Sequence, residues 1–190
     1  SAYSLSQEDR EIDMTDRDAW MKPTLHHSID HPQWLEKRLE LAEKAFNTSL
    51  TFPNSFLLDS SKGHASTWLA AWLNQQGLDV KEVSQEAVAM NAGCGAGELS
   101  PGQTWTWNEA KTSDHLLVRS VTPQAVGAIV GAALDGDGDR CLLLQETQDG
   151  IRVFDGDDIA DAILSSLDAD WIVAASIDAN LPPLTSFRHH

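Results

Sequence analysis

The stretch Ala133-Leu-Asp-Gly-Asp-Gly-Asp-Arg140 gathers three carboxylates between two apolar segments, 131–134 and 141–145, that are typical of short strands. After the second segment, Asp149-Gly150 predicts a hairpin turn, and residues 151–154 form the returning strand. The aspartates therefore belong to a loop that leaves the end of one strand of a sheet and enters the next.

A strand–helix–strand unit is predicted upstream of this loop. Residues 55–59 and 79–83 are typical of strands, and residues 65–76 place two tryptophans and two leucines on one helical face before Gly77 ends the helix. Such a unit folds with its two strands parallel. Together with the hairpin, it predicts an α/β fold with a mixed, partly parallel sheet and flanking helices.

Three further helices and a last strand are predicted. One helix begins at Pro32, and a second runs from a cap at Thr122 to about residue 129. A third helix, 157–167, begins with acidic residues, and a strand is expected at 171–175. The apolar residues of the third helix that are expected to face inward are Ile159, Ile163 and Leu167.

A glycine-rich segment, Asn91-Ala-Gly-Cys-Gly-Ala-Gly97, lies within a stretch, 84–115, that has no clear periodicity. No Lys-Ser/Thr pair follows it, and its spacing is not Gly-x-Gly-x-x-Gly, so neither nucleotide-binding motif is present. A weak backbone nest for an anion is one interpretation, and a plain flexible loop is the simpler one. Trp105 and Trp107 either alternate along a strand or anchor a loop on the core.

The composition limits the partners of the chain. Its 190 residues include 13 Lys and Arg against 29 Asp and Glu, which gives a net charge of −16. Such a charge excludes a basic nucleic-acid-binding surface and argues against docking on anionic lipid, so we expect neither a nucleic acid nor a membrane partner. A cation is the natural partner of so negative a field.

The cysteines and the apolar runs indicate a cytoplasmic protein. Cys94 and Cys141 do not form a Cys-x-x-Cys pair, and a reducing compartment is the simplest interpretation. No apolar run is long enough to span a bilayer, and the first residues, followed by a charged stretch, do not resemble a signal peptide. We therefore expect a cytoplasmic location.

The chemistry of the sequence is concentrated in the aspartate loop. Residues 135–178 hold twelve acids and two arginines, which is −10 of the total charge of −16. Asp135, Asp137 and Asp139 repel one another unless a counter-charge joins them, and the alternating glycines allow a tight loop on which they converge. Carboxylate oxygens suit Mg²⁺ or Ca²⁺, and Arg140 can hold phosphoryl oxygens in a fork.

Two other interpretations of the loop remain open. An Asp-Gly run can be a solvated turn. A calcium loop of the EF-hand type needs acids at positions 1, 3, 5 and 12, which Asp135, Asp137, Asp139 and Glu146 satisfy. However, its sixth position is Arg140 instead of glycine, and the flanking segments are typical of strands and not of helices.

The aspartate loop, its following strand and Asp155-Gly-Asp157 resemble the metal-binding region of the α-D-phosphohexomutases, the family of phosphoglucomutase, phosphomannomutase and phosphoglucosamine mutase. Upstream, Leu57-Leu-Asp-Ser-Ser-Lys-Gly63 is similar to a family strand that ends in Asp before a glycine-containing turn. Asn91-Ala-Gly-Cys-Gly95 resembles the family's Asn-x-x-Cys-Gly stretch. The resemblance covers roughly residues 30–175.

The resemblance implies an isomerase that shifts a phosphate on a hexose through a phosphoserine. In this reading Asp135, Asp137 and Asp139 bind Mg²⁺, and Arg140 contacts phosphate. The family's Ser-His-Asn-Pro, Gly-Glu-x-Ser-Gly-His and Arg-x-Ser-Gly-Thr motifs are missing here. The resemblance therefore extends to the second, metal-binding domain only, and we expect no catalytic residue and no mutase turnover in this chain alone.

This interpretation predicts how the chain is organised. Residues 1–30 are a polar connector or tail, 31–176 an α/β metal-binding domain, and 177–190 an exit segment or the truncated start of a following domain. The partners of the full-length protein would be a hexose phosphate and the other domains of the same polypeptide. The alternatives are a non-catalytic cation- or partner-binding module of the same fold, and a calcium-binding domain.

Overall fold

A computed structural model describes residues 31–46 and 55–166 of the chain. These two segments belong to separate compact units, and each is described by itself. The predicted tail at 1–30, the last strand at 171–175 and the exit segment at 177–190 lie outside the described residues.

The first unit contributes one helix, α1 (His31–Phe46), which confirms the helix predicted from Pro32. Leu35, Leu39 and Ala42, which share the predicted apolar stripe, are partly buried. On another face Trp34 is exposed, and the Arg38 guanidinium lies over its ring, 4.8 Å from the centroid.

The second unit is built on a six-stranded mixed sheet in the order β2-β1-β4-β5-β6-β3. β1 pairs in parallel with β2 and β4, and the remaining neighbours are antiparallel. The α/β class and the partly parallel sheet are therefore as predicted. The strands are β1 (Ser55–Asp59), β2 (Asp79–Glu82), β3 (Thr104–Thr106), β4 (Ile129–Leu134), β5 (Cys141–Glu146) and β6 (Gly150–Phe154).

Helices cover both faces of this sheet because its strands are apolar on both sides. One face packs on α2 (Leu69–Gln75), with Leu58, Val80 and Ala132 in its core. The other face packs on α3 (Trp107–Lys111) and α4 (Leu116–Ser120), and its core includes Leu117, Val130 and Val153. The predicted helix at 65–76 is a 3₁₀ turn, His64–Thr67, followed by α2, with an interruption at Trp68.

The helix predicted at 122–129 is wrong. This segment runs along the end of β5 instead, where the Gln124 amide donates to Glu146 Oε2 over 2.6 Å and the Gly127 amide donates to the Glu146 carbonyl over 2.9 Å. The Glu146 amide in turn donates to the Ala128 carbonyl over 2.8 Å. These bonds satisfy the backbone without a helix, and Gly127, at φ +89°, is not helical.

The stretch 84–115, which had no clear pattern, contains β3 and all of α3. Trp105 lies in β3 and Trp107 begins α3, and both pack against the core. The helix begins there because Thr106 and Glu109 form a capping box, in which each side chain bonds the other residue's backbone amide.

The hairpin at Asp149-Gly150 and the last helix are confirmed, the helix as α5 (Gly156–Ser166). Within α5, Ile159 is partly buried. Ile163 is 42% exposed, so its predicted inward orientation is wrong. Leu167 lies outside the described residues. Across 31–46 and 55–166, no helix combines the length and the apolar character needed to cross a membrane.

Candidate functional site

The aspartate loop, residues 135–140, connects β4 to β5 at the edge of the sheet where β1 also ends. Because β1 and β4 are parallel neighbours, the turn that follows Asp59 lies beside the loop that follows Leu134. The contact is close. A Cβ added to Gly63 would lie 2.8 Å from the carbonyl carbon of Gly136, which leaves no room for a side chain.

Asp135 is the anchored member of the loop. Its side chain is buried, and Oδ1 accepts hydrogen bonds from the amides of Gly138 (3.1 Å) and Arg140 (3.2 Å). Oδ2 accepts from Arg140 Nε over 2.7 Å. Burial alone would raise the pKa of Asp135, but the hydrogen bonds and positive charge of Arg140 outweigh it and hold this pKa at about 2. The carboxyl group is therefore ionised throughout the physiological range.

Asp137 and Asp139 are exposed, and the structure brings them together with Asp135 as predicted. One carboxylate oxygen from each of the three residues lies within 4.8 Å of the other two. A hydrogen bond with Asp135, together with the negative charges of Asp137 and Asp135, raises the pKa of Asp139 above its ordinary 3.8. The loop thus holds three carboxylates, and Arg140 is the one positively charged residue within 135–140.

The three oxygens fit a divalent cation. Two ligands on opposite sides of Mg²⁺ or Ca²⁺ are about 4–5 Å apart, which is twice the metal–oxygen distance. The observed spacing falls within this range, and two of the three side chains are exposed and can adjust. Carboxylate oxygens are hard ligands, so the set suits Mg²⁺ or Ca²⁺ and not a soft metal.

Arg140, predicted to contact phosphate, forms an ion pair with Asp135 in the structure. Its side chain is 67% exposed, and Nη2 extends toward Gly97 on the glycine-rich segment. The guanidinium therefore reaches from the base of the aspartate loop across to the opposite wall of a cavity.

That cavity, of about 580 Å³, lies between the aspartate loop and the glycine-rich segment. The residues that line it are Met90, Asn91, Gly97, Glu98, Asp135, Gly136, Asp137 and Arg140. It therefore combines two of the three carboxylates of the candidate metal site, those of Asp135 and Asp137, with the one cationic side chain among these lining residues.

The glycine-rich segment is packed at its centre, whereas Asn91, Ala92 and Gly97 are exposed. Cys94, Gly95 and Ala96 are buried. The Gly95 amide donates to Asp59 Oδ2 over 2.8 Å, and the Gly95 carbonyl lies 3.1 Å from His115 Nε2. A glycine is required at position 95 because φ is +84° and an added Cβ would overlap Ser61.

Asp59 connects the turn after β1 with the glycine-rich segment, although the sequence indicated no role for it. It is fully buried, and it accepts hydrogen bonds from the amides of Ser61 (2.9 Å) and Gly95. Burial raises its pKa, and those two hydrogen bonds and nearby His115 oppose the rise. The signal that could have placed Asp59 near the start of the aspartate loop is the parallel pairing of β1 with β4, in which Asp59 lies opposite Ala133.

No protein-family model matches the chain, and none of the curated proteins matches it. A solved structure of Aspergillus fumigatus N-acetylphosphoglucosamine mutase, a serine-to-alanine variant in complex with glucose 1,6-bisphosphate, is similar at 23% identity with a TM-score of 0.45. That protein is a phosphohexomutase-type enzyme. The similarity covers 70% of this chain and 24% of that chain, so this chain spans about a quarter of that structure's length.

Proposed function

We propose that the chain is the metal-binding domain of a phosphohexomutase, with one Mg²⁺ held by Asp135, Asp137 and Asp139. The observation that carries this proposal is the convergence of the three carboxylates within 4.8 Å, beside Arg140, which lines the same cavity as Asp135 and Asp137. The loop resembles the family's metal-binding stretch, and its neighbour in space, the turn after Asp59, belongs to a second stretch that resembles the family.

Each residue of the loop has a distinct part in this proposal. Asp135 is fixed by Arg140 and two backbone amides, so it supplies a ligand at a defined position. Asp137 and Asp139 are exposed, and their carboxylates would hold the cation from the solvent side. When bound, Mg²⁺ would neutralise charge on a phosphoryl group during its transfer. Arg140 provides N–H donors for the same phosphoryl oxygens.

The rest of the reaction lies outside this chain in the proposal. The phosphoserine that donates and accepts the phosphoryl group would belong to another domain of the same polypeptide, and a hexose phosphate would be the substrate. The domain boundaries are proposed at residues 31 and 176, with a connector before and an exit segment after. The structure favours this function over an EF-hand, because strands β4 and β5 flank the loop where an EF-hand has helices.

Calorimetric titration with Mg²⁺ tests the proposal. The chain should bind one equivalent of Mg²⁺, inorganic phosphate should tighten that binding, and Asp137→Asn should abolish it. Asp79→Asn, an exposed acid on β2, is the control for lost charge and should bind as the unmodified chain does. Equal titration curves for the chain and Asp137→Asn would refute the metal site. Folding coupled to Ca²⁺, with far weaker affinity for Mg²⁺, would favour the calcium-binding alternative.

A further inference from the structure

Asn91 lies on the opposite wall of the cavity from the aspartates, with its amide directed at their loop. A Cβ added to Gly136 would lie 3.1 Å from Asn91 Nδ2, so this nitrogen is one of the atoms nearest to the loop. Met90, beside it, lies closer still, with Sδ 2.7 Å from the same point. The two residues form the wall that faces the middle of the aspartate loop.

Ser61 determines which end of the Asn91 amide faces the cavity. The Ser61 hydroxyl donates to Asn91 Oδ1, and the Asn91 backbone amide donates to the Ser61 carbonyl over 3.1 Å. Because Oδ1 is engaged by Ser61, the amide presents Nδ2, a donor, toward Gly136 and the cavity.

The backbone at this pair is held in a conformation that is uncommon for residues other than glycine. Ser61 has φ +57° and Asn91 has φ +59°. Residues in such conformations are concentrated at ligand-binding sites, where the surrounding structure holds them. Here the hydrogen bonds between the two residues and the buried Asp59 beneath Ser61 supply that support.

A phosphoryl group in this cavity needs N–H donors that the aspartates lack. An ionised carboxylate only accepts hydrogen bonds, and it repels phosphate. Among the described residues that line the cavity, Arg140 and Asn91 carry side-chain N–H groups. Arg140 extends from the base of the aspartate loop with Nη2 toward Gly97, and Asn91 Nδ2 faces the middle of that loop, so both place N–H donors in the same cavity.

We propose that Asn91 is a phosphoryl-binding residue of this site and that Ser61 is its positioning residue. In this arrangement Nδ2 of Asn91 donates to a phosphoryl oxygen of a ligand that also contacts the cation at Asp135, Asp137 and Asp139. The inference rests on the proposed function, and it adds a neutral donor to the phosphate contact of Arg140.

The test measures Mn²⁺ affinity of the full chain with and without inorganic phosphate. Asn91→Gly keeps the positive φ and removes the amide, and Asn91→Asp keeps the shape but replaces the donor by a negative charge that repels phosphate. Both should reduce the tightening by phosphate about tenfold or more, as expected for the loss of a hydrogen bond to a charged group. Ser61→Gly should give a smaller loss in the same direction.

Ala89→Gly, at an exposed position two residues before Asn91, is the control for an added glycine and should behave as the unmodified chain does. Thermal unfolding of each variant separates a local effect from a general loss of structure. Phosphate tightening that survives unchanged in Asn91→Gly and Asn91→Asp would overturn the inference while leaving the metal site in place. Absence of Mn²⁺ binding in the unmodified chain would overturn the proposed function and the inference with it.

O-phosphoserine and a hexose 1-phosphate, used in place of inorganic phosphate, distinguish the two sources of a phosphoryl group. A ligand that is bound by Asn91 should tighten Mn²⁺ binding about tenfold less in the Asn91→Gly variant than in the unmodified chain. The loss with O-phosphoserine would assign Asn91 to a phosphoserine, and the loss with the sugar phosphate would assign it to the substrate. An equal effect of all three probes in the variant and the unmodified chain would contradict the proposal.

Discussion

Gly63 and Gly136 are in direct backbone contact, although 73 residues separate them, because the turn after β1 lies against the loop after β4. A Cβ on Gly63 would lie 2.8 Å from the Gly136 carbonyl carbon and 2.9 Å from its Cα. Both are backbone atoms that cannot rotate away. The position of the aspartate loop therefore depends on the absence of a side chain at residue 63.

Gly63→Ala should displace the aspartate loop and weaken its affinity for divalent cations by about tenfold, with about 1–3 kcal/mol lost from the free energy of unfolding as in other overpacked sites. Mn²⁺ titration and urea unfolding measure the two effects. Gly156→Ala is the matched control, because a Cβ at Gly156 meets no atom within 4 Å. Unchanged Mn²⁺ affinity in Gly63→Ala would show that the loop does not depend on this contact.

Acidification should weaken cation binding first through Asp139. The hydrogen bond with Asp135 and the charges of Asp137 and Asp135 raise the pKa of Asp139 above 3.8, whereas Asp135 stays ionised down to about pH 2. A cation must displace the proton from Asp139, so its affinity falls as pH decreases through that raised pKa. In Asp139→Asn the Mn²⁺ affinity should be lower at neutral pH and should vary less between pH 6 and pH 4. A pH profile identical to that of the unmodified chain would contradict this assignment.

Asp59→Asn should change how stability depends on pH. Burial raises the pKa of Asp59, so the folded state binds a proton more readily than the unfolded state does. Its contribution to the free energy of unfolding is greatest below the ordinary pKa of 3.8 and is lost as pH rises through the raised value. The unmodified chain should therefore gain stability relative to Asp59→Asn as pH falls from neutral.

At neutral pH, Asp59→Asn should also lose about 1–3 kcal/mol from the free energy of unfolding. The carboxylate accepts hydrogen bonds from two backbone N–H groups, and the amide nitrogen of Asn would face one of them. Urea unfolding from pH 7 to pH 4 measures both effects. Asp79→Asn, exposed on β2, is the control for the loss of one carboxylate. A stability difference that stays constant over this range would contradict the raised pKa.

The parts of the fold that depend on local sequence could be predicted. The Asp149-Gly150 turn specifies its own hairpin, and the alternating aspartates and glycines place three carboxylates on one loop whatever surrounds them. The helix expected at 122–129 failed because its backbone bonds to Glu146, about 20 residues away, and no local pattern reveals such a partner.

The opposite wall of the site could not be predicted for the same reason. Asn91 is hydrogen-bonded to Ser61, which is 30 residues away in the sequence. The positions of both residues depend on where β1 ends relative to β4. The glycines of the segment 91–97 indicated flexibility, but in the structure Gly95 packs closely against Ser61 and Leu134. The requirement for a glycine at position 95 becomes evident only from the strand order, which brings Ser61 and Leu134 against it.

Mapping of Mn²⁺ by NMR tests the central claim most directly, because a chain with a net charge of −16 also attracts cations without a specific site. Substoichiometric Mn²⁺ should broaden the amide signals of Gly136 and Gly138 before any others, and Asp137→Asn should remove this selectivity. Broadening that is spread over acidic residues outside 135–140, or that is unaffected by Asp137→Asn, would contradict a metal site on the aspartate loop.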